Sequence, residues 1–146
     1  MKKFLALIIL IPLAAQATPP TCTSGDTEIT CTSAASSSPF TDTVCTAATD
    51  GGSLEYKSFC TVWVSAATGQ TLSGAGTVDF YLYDAVVGRW AKDLVNSGAS
   101  VSLGSVQDEV VAQLYTPGKR GRICPVATGI TASGGTSVVI RMICVK

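Results

Sequence analysis

Residues 77–92 read Thr77-Val78-Asp79-Phe80-Tyr81-Leu82-Tyr83-Asp84-Ala85-Val86-Val87-Gly88-Arg89-Trp90-Ala91-Lys92. The first half alternates: Val78, Phe80 and Leu82 on one side, Asp79, Tyr81 and Tyr83 on the other. This period of two, rich in aromatic and β-branched residues, specifies a strand with one face on a core. Ala85-Val86-Val87-Gly88 makes a four-residue hairpin loop, and residues 89–95 return beside the first strand. Pairing Asp84 with Arg89 sets Tyr83 opposite Trp90 and Tyr81 opposite Lys92. Asp79, Tyr81, Tyr83, Trp90 and Lys92 then share one face. Flat rings beside hydrogen-bonding groups suit a sugar ring or a protein surface. The same register sends Asp93 toward the core with Phe80. A one-residue slip would make Trp90 a core plug instead.

Outward from this hairpin the chain reads as further strands and turns. Over residues 54–66, Leu54, Tyr56, Cys60, Val62 and Val64 fall on one face, and Glu55, Lys57, Phe59, Thr61 and Trp63 on the other. Trp63 reads as core or inter-sheet packing. Thr68-Gly69-Gln70 and Ser73-Gly74-Ala75-Gly76 are turn chemistry. Asn96-Ser97-Gly98 closes the hairpin's return strand, and Val101 and Leu103 begin another. Residues 105–115 fit two templates. Ser105-Val106-Gln107-Asp108 resembles a helix capping box, yet Val110, Ala112 and Leu114 share a strand face. The β neighbours and the turn at Pro117-Gly118 favour the strand. Residues 120–127 form a return strand. Residues 136–146 are apolar at both parities, which marks a central strand. Seven to nine short strands with Gly-rich turns specify an all-β fold: an antiparallel β-sandwich of immunoglobulin-like or jelly-roll type.

The N-terminus reads as a secretory signal peptide, residues 1–17. Lys2 and Lys3 precede the apolar run from Phe4 to Leu13, and Ala15-Gln16-Ala17 is a small-x-small cleavage site of bacterial layout. The run is too short to span a bilayer, and no membrane span is expected in the mature chain. Residues 18–50 form a Ser/Thr-rich, disulfide-tied segment with a short strand at Thr27–Cys31, and residues 51–146 the sandwich core. Residues 18–146 make one domain.

Six cysteines (Cys22, Cys31, Cys45, Cys60, Cys124 and Cys144) in an oxidising compartment imply three disulfides. Cys22 and Cys31 flank Gly25-Asp26, Cys45 and Cys60 flank Gly51-Gly52, and Cys124 and Cys144 are symmetric about Gly134. Hairpin symmetry therefore suggests nearest-neighbour pairing. No Cys-x-x-Cys spacing is present, and no zinc site or cofactor is expected.

The chain has 146 residues, 47% hydrophobic and 14% charged, with no His. Triads and metal sites that use His are excluded. Removing Lys2 and Lys3 from ten basic and ten acidic residues leaves two more acids than bases. Neither nucleic acid nor an anionic membrane is implied as a partner. Lys119, Arg120 and Arg122 form a basic turn that could take an anionic ligand. Asp79, Asp84, Asp93, Asp108 and Glu109 could supply a carboxylate pair for glycoside chemistry, but read first as turn caps. The leading expectation is an exported, non-enzymatic protein at the cell surface, in the periplasm or on a particle. It would act as a binding module for carbohydrate or protein, or as a structural subunit. A carboxylate-dependent carbohydrate enzyme and a secreted inhibitor, inserting the Cys22–Cys31 loop, are the alternatives.

Overall fold

The computed structural model describes residues 19–34, 44–66, 72–106, 108–116, 121–132 and 137–146. Residues 1–17, read above as a signal peptide, the turn expected at 68–70, and Lys119 and Arg120 lie outside the described residues. Eleven strands are present among them: β1 Thr21–Ser24, β2 Glu28–Ala34, β3 Gly52–Ser53, β4 Phe59–Ala66, β5 Leu72–Asp84, β6 Arg89–Lys92, β7 Ala99–Val106, β8 Asp108–Tyr115, β9 Arg122–Thr128, β10 Thr131–Ala132 and β11 Ser137–Val145. All pairings are antiparallel.

Sheet one has the order β1-β2-β11-β4-β8, so β11 is central, as its apolar composition demands. Sheet two is built on β5. One edge of β5 carries β9 and β10, and the other carries β6 and β7 end to end. Val78 and Phe80 of β5 are fully buried, as the alternation requires, with Leu82 packed against the same core. The inward faces of both sheets feed one buried cluster, which includes Ile29, Val62, Val64, Phe80, Leu114, Ile123, Ile140 and Met142. Each such side chain contributes roughly 1.5–3 kcal/mol of burial.

Residues 108–115 are strand, not helix. A bulge opposite Val62/Trp63 sets Ala112 against Val62 and Val110 against Trp63. Four expectations are corrected. Ser73-Gly74-Ala75-Gly76 is not a turn but the first half of β5. Gly76 is needed there because any side chain would meet the Thr128 carbonyl and Ile130. The strand from Leu54 begins only at Phe59, and Tyr56 stands 80% exposed with φ 61°. Trp63 points neither into the core nor between the sheets. It is half-buried on the outer face of sheet one, opposite Arg141.

The disulfide pairing is the fourth. Cys22–Cys31 forms as expected, across paired positions of β1 and β2. The other two bridges are Cys45–Cys124 and Cys60–Cys144. Cys60 and Cys144 face each other across β4 and β11. Cys124 and Cys144 cannot share a hairpin, because β9 and β11 lie in different sheets. Gly51-Gly52 is not a hairpin turn either. A side chain at Gly51 would strike Trp90, and one at Gly52 would strike Ile29. These glycines permit close approach, and the chain passes on into β3 beside β9. Three disulfides indicate an oxidising, non-cytoplasmic environment. Among the described residues no helix is long and apolar enough to cross a membrane.

Candidate functional site

The β5–β6 hairpin has the register read from the sequence: Asp84 opposite Arg89, Tyr83 opposite Trp90, Tyr81 opposite Lys92. Its loop is fixed by Asp84. One carboxylate oxygen accepts the Val86 and Val87 N–H groups at 2.9 and 3.2 Å, and the Asp84 carbonyl accepts Gly88 N–H at 2.8 Å. Gly88 closes the loop at φ 67°, which glycine adopts without strain.

β6 then stops at Lys92, and this resolves the conflict over Asp93. Instead of entering the core, Asp93 opens a turn. Its N–H donates to the Phe80 carbonyl at 2.8 Å, and its carboxylate accepts Val95 N–H and Asn96 Nδ2. Phe80 N–H would otherwise lack a ladder partner. Ser97 Oγ accepts it at 2.8 Å and donates back to the Phe80 carbonyl at 3.0 Å. The sheet edge is completed by a side chain where the backbone departs.

On the outward face, Lys92 Nζ donates to Asp79 at 2.7 Å, and Asp79 also accepts Gly98 N–H at 2.9 Å. The hydrogen bond from Asp79 raises the Lys92 pKa above the ordinary lysine value. Tyr83 and Trp90 meet edge to face, with ring centroids 5.3 Å apart. Trp90 is neither main-core plug nor free platform. With Tyr81 and Val44 it packs against a second small cluster of Cys45, Cys124 and Val126 on the outer face of sheet two. Its buried Nε1–H has no acceptor among the described residues. All five residues expected on this face are on it, and the Cys45–Cys124 bridge fastens residues 44–51 beside them.

Around this face stand exposed aliphatic side chains. Val86 and Val87, at the loop tip, are 98% and 56% exposed. Leu94 and Val95, in the turn after β6, are 82% and 90% exposed. Arg122, from the basic turn, donates Nη1 to the Gly51 carbonyl at 2.8 Å and is half-buried. Asp79, Asp84 and Asp93 each serve a turn of sheet two, whereas Asp108 and Glu109 lie in β8 of sheet one. Residues 22–31 form a tight hairpin, turned by the Gly25 N–H bond to the Glu28 carbonyl at 2.7 Å.

Two surfaces escaped the sequence reading. The outer face of sheet one presents Tyr115, Ile143 and Val145, which are 67%, 45% and 58% exposed. The second is a hollow of about 230 Å³ between the β1–β2 turn, the β3–β4 connection and Lys146. The apolar outward positions of β11 gave a signal for the first but read as burial. The hollow draws on three distant stretches of chain and leaves no local pattern. No protein-family model, no curated protein and no solved structure matches the chain.

Proposed function

We propose that this chain is an exported, non-enzymatic binding protein. It loses residues 1–17 on export and folds as a β-sandwich of immunoglobulin-like or jelly-roll type in the periplasm or outside the cell. It engages a partner protein through the β5–β6 hairpin. The observation that carries this reading is that Val86 and Val87 at the loop tip, and Leu94 and Val95 in the turn at the other end of β6, are all exposed on braced turns. Exposed aliphatics on a rigid support are the usual material of an interface. The support is rigid because turn hydrogen bonds, the Lys92–Asp79 pair and the small cluster under Trp90 fix it. Asp84 and Arg89, which close the loop opposite each other, are both exposed, so the fitting partner surface is apolar with a mixed polar rim.

Photo-crosslinking in cells that make the protein tests this. A photoreactive residue in place of Val86 or Leu94 should yield one discrete adduct that the same residue in place of Glu55 does not. Adducts from all three positions, or from Glu55 alone, would overturn the hairpin reading.

One observation favours a second reading, a structural subunit. Ile143, Val145 and Tyr115 leave an apolar face on sheet one, and that face carries Arg141 and Glu28 on adjacent strands. Two copies packed face to face about a twofold axis would bring these unlike charges together. Light scattering on the non-reduced mature protein decides. A defined oligomer that Ile143→Lys dissociates supports the subunit, and a monomer removes it.

A further inference from the structure

The hollow beside the β1–β2 turn shares no residue with the hairpin face, and its reading is independent of the hairpin's. Lys57 lines it and is only 7% exposed. Its backbone is fixed, with N–H donating to the Leu54 carbonyl at 3.0 Å and its carbonyl accepting Thr116 Oγ1 at 2.7 Å. No described residue accepts a hydrogen bond from its ammonium. The stem is enclosed while the ammonium tip stays open to the hollow, where an anion from solvent can meet it.

Two hydroxyls beside it are poised as donors. Ser24 Oγ accepts Ser53 N–H at 2.7 Å, and Ser53 Oγ accepts Glu55 N–H at 3.3 Å. Each hydroxyl thus uses a lone pair on the backbone and keeps its proton to give. Acceptors line the same hollow: Glu55, and Asp26, which pairs with Lys146 at 3.4 Å. Tyr56 lines it too, in a left-handed conformation that bulky residues rarely adopt. Strain of this kind collects at ligand clamps, and here it holds an aromatic ring out in solvent.

From these groups we infer that the hollow binds the carboxylate-bearing ring of an acidic sugar. Lys57, Ser24 and Ser53 donate to the ligand carboxylate. Glu55 and Asp26 accept from its hydroxyls, and Tyr56 covers a ring face. A phosphate dianion fits less well, because it would meet Asp26 and Glu55 with no hydroxyl to offer them. About 230 Å³ holds one ring, not a chain in cross-section.

Titration calorimetry or NMR on the oxidised mature protein tests the inference with sodium glucuronate, glucose and inorganic phosphate. Glucuronate should bind saturably with a Kd on the order of 1 mM, roughly tenfold or more tighter than either control. Lys57→Met should abolish that preference while the protein stays folded, since it keeps an enclosed apolar stem and removes only the charged tip. Lys57→Arg should retain it. Tyr56→Gly should weaken binding without lowering Tm, because glycine relieves the positive φ. Absence of saturable glucuronate binding overturns the proposal, as does equal binding of glucose. Phosphate binding as tight as glucuronate reduces the hollow to a simple anion site and also overturns it. Should Lys57→Met fail to fold, the Tyr56→Gly result and the three-ligand comparison still decide.

Discussion

β9 and β11 are both apolar at inward and outward positions, yet their outward residues meet different surroundings. On β9, Cys124 and Val126 point away from the main core and are still buried, at 0% and 7% exposure. On β11, Ile143 and Val145 point away from the same core and are open to solvent. The difference is a stretch of the protein's own chain. Residues 44–51 pass beside β9, bound by Cys45–Cys124, and Trp90 closes the space next to them. Nothing among the described residues does this for β11. Two-sided hydrophobicity thus predicts a covered strand only where chain is available to cover it. Where it is not, the same pattern leaves an exposed apolar face.

Removing the tether should break this contrast most strongly. The Cys45–Cys124 bridge spans 79 residues and Cys22–Cys31 only 9. Loop-entropy arguments assign about 4.5 kcal/mol to the first and about 2.7 kcal/mol to the second. Denaturant unfolding of the double serine variants should therefore show the larger loss for Cys45→Ser/Cys124→Ser.

Trp90 comes next. Trp90→Ala should lose about 3 kcal/mol by emptying the small cluster. Trp90→Phe should lose less than half of that, since it keeps a ring and discards an unpartnered N–H. Equal losses would mean that the indole N–H has an acceptor.

A matched pair isolates the covering itself. Val126→Thr should destabilise by about 1–3 kcal/mol, because a hydroxyl enters a covered apolar site. Val145→Thr should stay within about 0.5 kcal/mol of the parent protein. Similar values at both positions would show that β11 too is covered.

The smallest effect concerns the Lys92–Asp79 pair. The folded protein holds the Lys92 proton more tightly than the unfolded chain does. The pair's contribution is therefore fully present below the ordinary lysine pKa. It disappears as pH rises through the raised value. Asp79→Asn should remove that alkaline component from a Tm-versus-pH curve.

Much of sheet two was legible because the hairpin is local. Alternation from Val78 to Tyr83 fixed which residues face in. A four-residue loop fixed the register that puts Tyr83 on Trp90. What failed was non-local. Gly51, Gly52 and Gly76 look like turn glycines, yet each is glycine because Trp90, Ile29 or Ile130 passes close by. Those neighbours are distant in sequence. The same blindness misassigned two disulfides, because hairpin symmetry cannot reveal that β9 and β11 belong to different sheets. Lys57 was placed on one face of the strand over residues 54–66, and nothing local distinguishes a lysine on an open strand face from one whose stem is enclosed.

Disulfide mapping tests the covered face most directly. Trypsin acts on the denatured, non-reduced protein with thiols blocked, cutting after Lys57, Arg89, Arg122 and Arg141. This places Cys45, Cys60, Cys124 and Cys144 in separate peptides. The account predicts that the peptide ending at Lys57 is joined to Ile123–Arg141, and Ser58–Arg89 to Met142–Lys146. Recovery of the Lys57 peptide joined to Ser58–Arg89, with Ile123–Arg141 joined to Met142–Lys146, would contradict it.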